Sequence, residues 1–419
     1  MKLIKSLIIV LAIVITANVN AQLKIDAQLK PRFEYRHGFK TLFPDDVDAS
    51  AFVSQRSRLN IGYTQEQLMF YLSVQDVRVW GDTPQLNVAG KNGFSLHQAW
   101  AQIGLSESVA LKIGRQEIVY NDARIFGNVD WAQQGRSHDV AMLKVKDGKF
   151  KLDLGLAFNQ DGESLTGNIL TTNTYKSFQY AWLHNDWDNF SGSFLLLNNG
   201  RQYIDTDPDI SETRYSQTLG THLKFGKGAF NLSSNLFYQF GKDVADNDLS
   251  AYLIGLDASY KASDKVKLGV GLEIQSGNDG EAPSNGENKA FTPFYGTNHK
   301  FNGLMDYFYV GNHMNNVGLT DIYISSNFKL GAKSNLNVAL HNFSTSADLA
   351  DTDETELGTE LDLVFTQKLQ KSVTLKAGYS QLFASDGMEY LKNNFDENSN
   401  NWGWVMIVVN PTLFNSGSN

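Results

Sequence analysis

Leu23-Lys24-Ile25-Asp26-Ala27-Gln28-Leu29-Lys30-Pro31-Arg32-Phe33-Glu34-Tyr35-Arg36 places apolar or ring residues at the odd positions and charged or amide side chains at the even ones. Successive side chains of a strand point to opposite faces, so a period of two reads as a strand with one apolar and one charged face. The run is far longer than the ~5–6 residues of an ordinary strand. The same code returns in Phe150, Leu152, Leu154, Leu156 and Phe158, and again in Val266, Leu268, Val270, Leu272 and Ile274, each apolar residue separated from the next by a small or polar one.

A soluble β-sandwich also alternates, so the lengths of the connections decide. Short turns fall at about 64–67, 106–107, 147–148, 186–189, 226–228, 262–264, 331–333 and 369–371. Long polar loops fall at about 38–50, 80–93, 119–136, 159–173, 200–212, 241–248, 277–316, 345–355 and 384–400. Strict alternation of eight short and nine long connections joins 18 strands. Short turns on one side, long loops on the other and an even strand count are the signature of an all-β, antiparallel, up-and-down transmembrane barrel of the bacterial outer membrane. Aromatic residues make up 12% of the chain. Those near expected strand ends, Tyr63, Trp80, Trp100, Phe158, Trp187, Phe190, Phe230, Phe240, Tyr260, Phe328, Trp402 and Trp404, supply two interfacial girdles.

Lys2 and Lys5, the apolar run from Leu7 to Ala17 and the small-residue site Val19-Asn20-Ala21 have the layout of a secretory signal peptide, residues 1–21. Residues 22–419 then form one barrel domain in the outer membrane of a Gram-negative bacterium. No later stretch offers the ~20 consecutive apolar residues of a helical span. Cysteine is absent, so disulfides and thiolate metal sites are excluded. Without Lys2 and Lys5 the formal charge moves from −9 to −11, which argues against nucleic acid as a partner.

All ten arginines lie between Arg32 and Arg214. Arg32 and Arg36 share the charged parity of the first strand, and Arg56 and Arg58 oppose the parity of Leu59 and Ile61. A charge on the lipid face near the midplane costs ~2–4 kcal/mol, so these four are expected in the lumen. There they either brace nearby carboxylates or select passing anions, and both roles can coexist. Arg78 and Arg115 carry the parity of lipid-facing neighbours; either a bulge shifts the register or they lie beyond the lipid band. Carboxylates group in the loops, as in Asp205-Thr206-Asp207-Pro208-Asp209, so the negative charge is expected mainly at the exterior as solvated loop charge.

Gly114-Arg115-Gln116-Glu117-Ile118-Val119-Tyr120-Asn121-Asp122-Ala123-Arg124-Ile125-Phe126-Gly127, then Trp131-Ala132-Gln133-Gln134-Gly135-Arg136-Ser137-His138-Asp139, resembles the alginate-export family of outer-membrane barrels. Phe294-Tyr295-Gly296-Thr297-Asn298-His299-Lys300-Phe301-Asn302-Gly303-Leu304-Met305-Asp306-Tyr307 is similar to members from Bacteroidetes-like lineages. The resemblance implies an 18-stranded barrel with an arginine-lined, anion-selective constriction that passes a polyuronate. Carried over by residue, it implies Arg115, Arg124 and Arg136 at the constriction, with Asp122 and Asp139 as carboxylate partners. His299 and Lys300 join the candidate pore-lining set. It also implies periplasmic export or assembly proteins as partners. The sequence departs from the family in having no arginine after Arg214, and in the Ser137-His138-Asp139-Val140 stretch.

Within the 277–316 loop, Phe291, Phe294, Tyr295, Phe301, Tyr307, Phe308 and Tyr309 are too apolar to stay in water. This part is expected to fold toward the barrel mouth, with packing outside the pore as the alternative. The histidines are scattered, with no HExxH and no GxSxG, and His138 and Asp139 as strand neighbours point apart. The sequence therefore reads as a passive channel for anionic poly- or oligosaccharides, with no catalytic activity, cofactor or metal. A general or import porin, an outer-membrane hydrolase and an adhesive barrel are the alternatives.

Overall fold

Why the alternating code closes into a cylinder is visible in the hydrogen-bond ladder of the computed structural model, which describes residues 21–86, 93–167, 169–172, 174–204 and 211–417. The strands are β1 (Ala21–His37), β2 (Ser50–Gln65), β3 (Leu68–Val79), β4 (Ser95–Gly104), β5 (Val109–Gln116), β6 (His138–Asp147), β7 (Phe150–Phe158), β8 (Tyr175–Asp186), β9 (Phe190–Ile204), β10 (Ser211–Lys227), β11 (Phe230–Lys242), β12 (Asp248–Lys261), β13 (Val266–Gln275), β14 (Glu287–Asn288), β15 (Leu319–Lys329), β16 (Ser334–Ser344), β17 (Glu356–Gln370), β18 (Val373–Ala384), β19 (Asn400–Val409) and β20 (Thr412–Asn415). All but β14 and β20 form a closed antiparallel barrel of 18 strands, in which each strand pairs with its chain neighbours. Closure comes from β1, whose Leu29–His37 stretch pairs with β19 while its start pairs with β20. Every barrel strand thus has two partners, which leaves no open edge in hydrocarbon.

Parity sorts the side chains as the first strand announces. Lys30, Arg32 and Glu34 are buried inward, whereas Leu29, Phe33 and Tyr35 face outward. Leu154, Leu156, Leu232, Val270, Ile322 and Ile324 continue the outward apolar band. Trp187, Phe190, Phe230 and Tyr260 stand exposed near the short-turn end, and Trp80, Phe158 and Phe383 near the loop end, as two girdles require. Three expected girdle members are inside instead. Trp402 and Trp404 are buried in the lumen, and Trp100 stacks on Tyr71 with Lys112 over its face. The lumen is crowded enough to need apolar packing of its own.

That packing comes from two long connections that enter the barrel. Residues 117–137 and 276–318 leave the loop end, cross the lumen and pack against its wall. Phe126, Ile118 and Ile125 meet Phe178, Leu197 and Phe237, while Met305, Tyr307 and Phe308 meet Phe343, Leu357 and Trp402. Fully burying each large apolar side chain contributes about 1.5–3 kcal/mol, so the two segments form a packed plug. The expected signal peptide (residues 1–21) lies outside the described residues except for Ala21, which opens β1. The Asp205–Asp209 stretch also lies outside the described residues.

Candidate functional site

The basic wall begins with register. Lys30 of β1 lies directly opposite Arg56 of β2, and Arg58 is opposite Gln28 and Gln75. Like charges facing each other across a strand pair repel, so the pair Lys30–Arg56 needs a counter-charge. Of the lumenal carboxylates of β1, Asp26 pairs with Lys24, and Glu34 is already committed. It accepts from Arg32 Nε at 2.8 Å, Arg36 Nη2 at 2.9 Å and Trp402 Nε1 at 3.1 Å. Asp130, on the inserted 117–137 segment, provides the missing charge: Arg56 Nη2 donates to its Oδ1 at 2.6 Å, and Lys30 Nζ lies 3.5 Å from Oδ2. Partial desolvation against the wall would by itself raise the Asp130 carboxyl, but Lys30 and Arg56 outweigh it and hold it below the usual carboxylate range.

The rest of that segment is fastened in the same way. Lys30 Nζ donates to the Asp130 carbonyl at 2.5 Å, Arg32 Nη1 to the Trp131 carbonyl at 2.6 Å and Gln75 Nε2 to the Gln134 carbonyl at 2.8 Å. Gln133 Nε2 donates back to the wall at Lys30 and Ser54. On the far side, Tyr120 donates to Asp153 at 2.7 Å and stacks on Trp182. Asn235 of β11 donates to Asp122 at 2.6 Å, so the segment reaches across the lumen from β5 to β11.

Arg124 joins both inserted segments to β13. Its Nη2 donates to Glu273 at 2.5 Å and to Asn302 at 3.1 Å, Nη1 reaches Asn298 at 3.4 Å, and its guanidinium lies 4.5 Å over Phe301. The segments also touch through backbone. Gly127 N–H donates to Tyr295 C=O and Thr297 N–H to Ala123 C=O, each at 2.9 Å. A Cβ at Gly296 would sit 2.2 Å from the Arg124 carbonyl, and one at Gly127 would sit 2.2 Å from Thr297 Oγ1. Glycine at both positions is what permits this crossing.

Most of the expected site residues meet here. Arg32, Arg36, Arg56 and Arg58 line the β1–β2 wall, and Asp122, Arg124, Arg136, His299 and Lys300 sit on the inserted segments. Arg136 Nη1 donates to the Gly296 carbonyl at 2.9 Å, Lys300 Nζ to the Asp122 carbonyl at 2.8 Å, and His299 stacks on Trp131 while bonding Asp306 at 2.8 Å. Arg115 and Asp139 are corrections. They form a 2.8 Å ion pair on the outward face, because alternation turns Gly114 and Gln116 inward and leaves Arg115 with Ile113 outside. Their place at the loop end of β5 and β6 takes them toward the interface, as the outward pair Arg78–Asp76 does on β3. The implied partnerships change too: Asp122 caps the Arg124 backbone N–H, and Glu273 pairs with the guanidinium.

The other wall is acidic, so part of the negative charge lies in the lumen as well as in the loops. Asp257, Glu273, Asp321 and Asp362, on β12, β13, β15 and β17, line a cavity of about 520 Å³ with Asp122, Lys300 and His341. The cavity runs from the plug toward the short turns, where Lys267 and Asn337 also line it. Parity could have found these carboxylates, since Glu273 alternates with Leu272 and Ile274 and Asp362 with Leu361 and Leu363. On the basic arc the sequence reading missed Lys30, Lys112 and Lys144, although the same rule turns them inward. Ser380, Asp362 and His341 lie close together, but Ser380 donates to Asp362 and not to the histidine, so the three do not form a serine–histidine pair oriented by a carboxylate. Among the described residues no group of three or more acidic or histidine side chains is placed to hold a metal ion.

With this geometry in view, the family model described as alginate export matches residues 21–403. The chain belongs to the alginate export family. Solved structures similar to this family member include OccAB4 of Acinetobacter baumannii (12% identity, 94% of this chain and 99% of that one, TM-score 0.64). OccK9 (OpdG) of Pseudomonas aeruginosa is similar at 13% identity, with 93% and 98% covered and a TM-score of 0.64. The outer membrane protein opdK from Pseudomonas aeruginosa is similar at 13% identity, with 94% and 99% covered and a TM-score of 0.61. These likenesses place the alginate export barrel described here in a shared fold. Among curated protein sequences, none matches the chain.

Proposed function

We propose that this protein is a passive outer-membrane channel of a Gram-negative bacterium, with anionic saccharides of the polyuronate type as its solutes. The observation that carries the reading is that lumenal cations remain without a carboxylate after the wall and plug have been braced, Arg58 and Lys112 among them. Arg58 bonds only Gln75, and Lys112 rests 3.9 Å over Trp100; neither has a carboxylate within ion-pair distance among the described residues. Arginine offers a permanently charged planar fork suited to carboxylates, and a cleft with uncompensated charge of one sign concentrates counter-ions. Family membership supports export, and the outward apolar band supports lipid as the surrounding medium. Periplasmic export or assembly proteins then meet the short-turn end, and the barrel has no enzymatic role. The acidic arc favours a second reading, a less selective general or import porin, because opposed charges across one lumen suit polar solutes of either sign.

The test is the reversal potential of the purified barrel in a planar bilayer under a salt gradient. Anion preference is expected, together with a several-fold loss of that preference in the double variant Arg58→Ser and Lys112→Gln. A cation-selective pore, or a preference untouched by the double variant, refutes the anionic reading and leaves the general porin.

A further inference from the structure

The ion pair between the wall and Asp130 is one-sided. Lys30 and Arg56 have side chains only 3% and 0% exposed, whereas the Asp130 side chain is 61% exposed to the lumen. The cations are sealed in the wall and the anion stands in water over them, which is the arrangement of a site and its ligand. The site is also complete without Asp130. Arg56 Nε donates to Gln28 at 2.6 Å and its Nη1 to the Gln133 carbonyl at 3.3 Å, so the guanidinium stays aimed whatever occupies its remaining donor. The three Gln133 bonds to Lys30 and Ser54 and the Arg32–Trp131 bond hold the segment down independently of the carboxylate. Backbone strain marks the spot: Val129, β-branched, sits at φ +51°, a conformation that costs on the order of 1–3 kcal/mol.

We infer that Lys30 and Arg56 form a carboxylate subsite of the permeation path, and that Asp130 is its tethered occupant, displaced by the carboxylate of a passing uronate. The inference rests on the saccharide-channel reading. Displacement needs only rotation of the Asp130 side chain, because the neighbouring anchors remain. One carboxylate then replaces another on the same two cations. A bare pair of buried cations would hold a polyanion too long, and conduction requires binding weak enough to release. A competitor on a short tether has an effective concentration in the millimolar range, so it weakens an incoming carboxylate without abolishing the site. The device converts a trap into a relay.

The measurement is block of ionic current through the full barrel by sodium tri-galacturonate, with maltotriose as the neutral control. Asp130→Asn keeps an oxygen for Arg56 but removes the charge, and is expected to lower the blocking concentration at least tenfold and lengthen each block. Adding Arg56→Gln to Asp130→Asn is expected to reverse that gain. Equal block of wild type and Asp130→Asn overturns the inference and makes Asp130 an anchor only. Should hydrogen exchange show that Asp130→Asn frees residues 117–137, Lys30→Met takes over, since it leaves the Arg56–Asp130 pair intact. Block must then weaken at least threefold, and an unchanged value overturns the subsite. Wild type that distinguishes the two trisaccharides while Asp130→Asn changes nothing overturns the inference and leaves the channel reading standing. Wild type that fails to distinguish them sinks the channel reading and the inference with it.

Discussion

Arg124→Ala removes a side chain that ties both inserted segments to the wall. Arg124 is 2% exposed, and its loss leaves Glu273, 6% exposed, without its cation and takes one donor each from Asn298 and Asn302. Removing one partner of a buried ion pair costs about 3–5 kcal/mol, mostly through the charge left behind. The cation–π contact with Phe301 belongs to the same truncation and is not added separately. The barrel ladder does not run through Arg124, so the cost falls on docking of the plug and not on closure of the cylinder. At about 1.4 kcal/mol per factor of ten, undocking becomes roughly a hundred- to a few thousand-fold more frequent. Hydrogen exchange of residues 117–137 and 276–318 should accelerate by that order, while strands β8–β11 keep their protection and the barrel its heat-resistant migration on gels. Single-channel recordings should show added current noise and larger openings. Unchanged exchange in both segments would show that the apolar packing of Phe126 and Tyr307 alone sets docking, and the argument from Arg124 fails.

Gly296→Ala should act at the same place by a different route: its Cβ meets the Arg124 carbonyl at 2.2 Å, so the segments must separate. Exchange at Gly127 and Thr297 N–H groups should rise in this variant while Arg124 keeps its pair with Glu273. A pH effect comes from His313, on the helical turn Val310–His313 of the second segment, where burial and then Lys392 push its pKa down to about 3. A folded pKa below the unfolded ~6.5 means the unfolded state binds the extra proton, so stability is full above about pH 6.5 and falls as acid is added. By pH 5 the loss is about 1–2 kcal/mol, read as faster exchange of residues 305–318 after correction for the intrinsic rate; His313→Asn should flatten the dependence. Lys392, on the helix Asp386–Lys392 and donating to the Tyr307 carbonyl at 2.8 Å, is pushed down to about 8 by burial. Its charge therefore disfavours docking progressively as pH falls from about 10.4 to about 8, and by a constant amount below that, so Lys392→Met should protect residues 386–392 at pH 7 with little difference at pH 10.

The alternation of short and long connections made the cylinder legible, and period-two alternation made the strands legible, as from Leu23 to Arg36. The same rule turned Arg32, Arg36, Arg56 and Arg58 inward, and it flagged Arg78 and Arg115 as needing another explanation. It could not say where a loop goes once it leaves the ladder. Residues 119–136 looked like one more long polar loop, yet Trp131 packs against Arg32 and Trp402, and Asp130 closes the gap between Lys30 and Arg56. Those contacts join positions about 75 to 270 residues apart, and no local pattern encodes them. A signal was nonetheless present: two cations in cross-strand register with no free carboxylate on the wall demand one from elsewhere. Trp402 and Trp404 misled for a related reason, since an aromatic near a strand end fits an interface girdle and an inward stack equally well until parity with Met406 is read.

Bracing and selection predict different behaviour residue by residue, according to where the counter-charge comes from. Arg32 and Arg36 take theirs from Glu34, on their own strand and fully buried, so no solute can replace it without leaving a desolvated carboxylate behind. Arg124 takes its charge from Glu273, equally sealed. Lys30 and Arg56 take theirs from an exposed side chain on a loop, and Arg58 and Lys112 take none. The cost of exchanging a counter-ion therefore falls along that order, from prohibitive to near zero. A solute carboxylate travelling along the basic arc should engage Arg58 and Lys112 first and the Asp130 position next, and pass Arg32, Arg36 and Arg124 without binding. Serine at Arg32 should accordingly disturb the fold of the wall more than it disturbs ion preference, whereas serine at Arg58 should do the reverse.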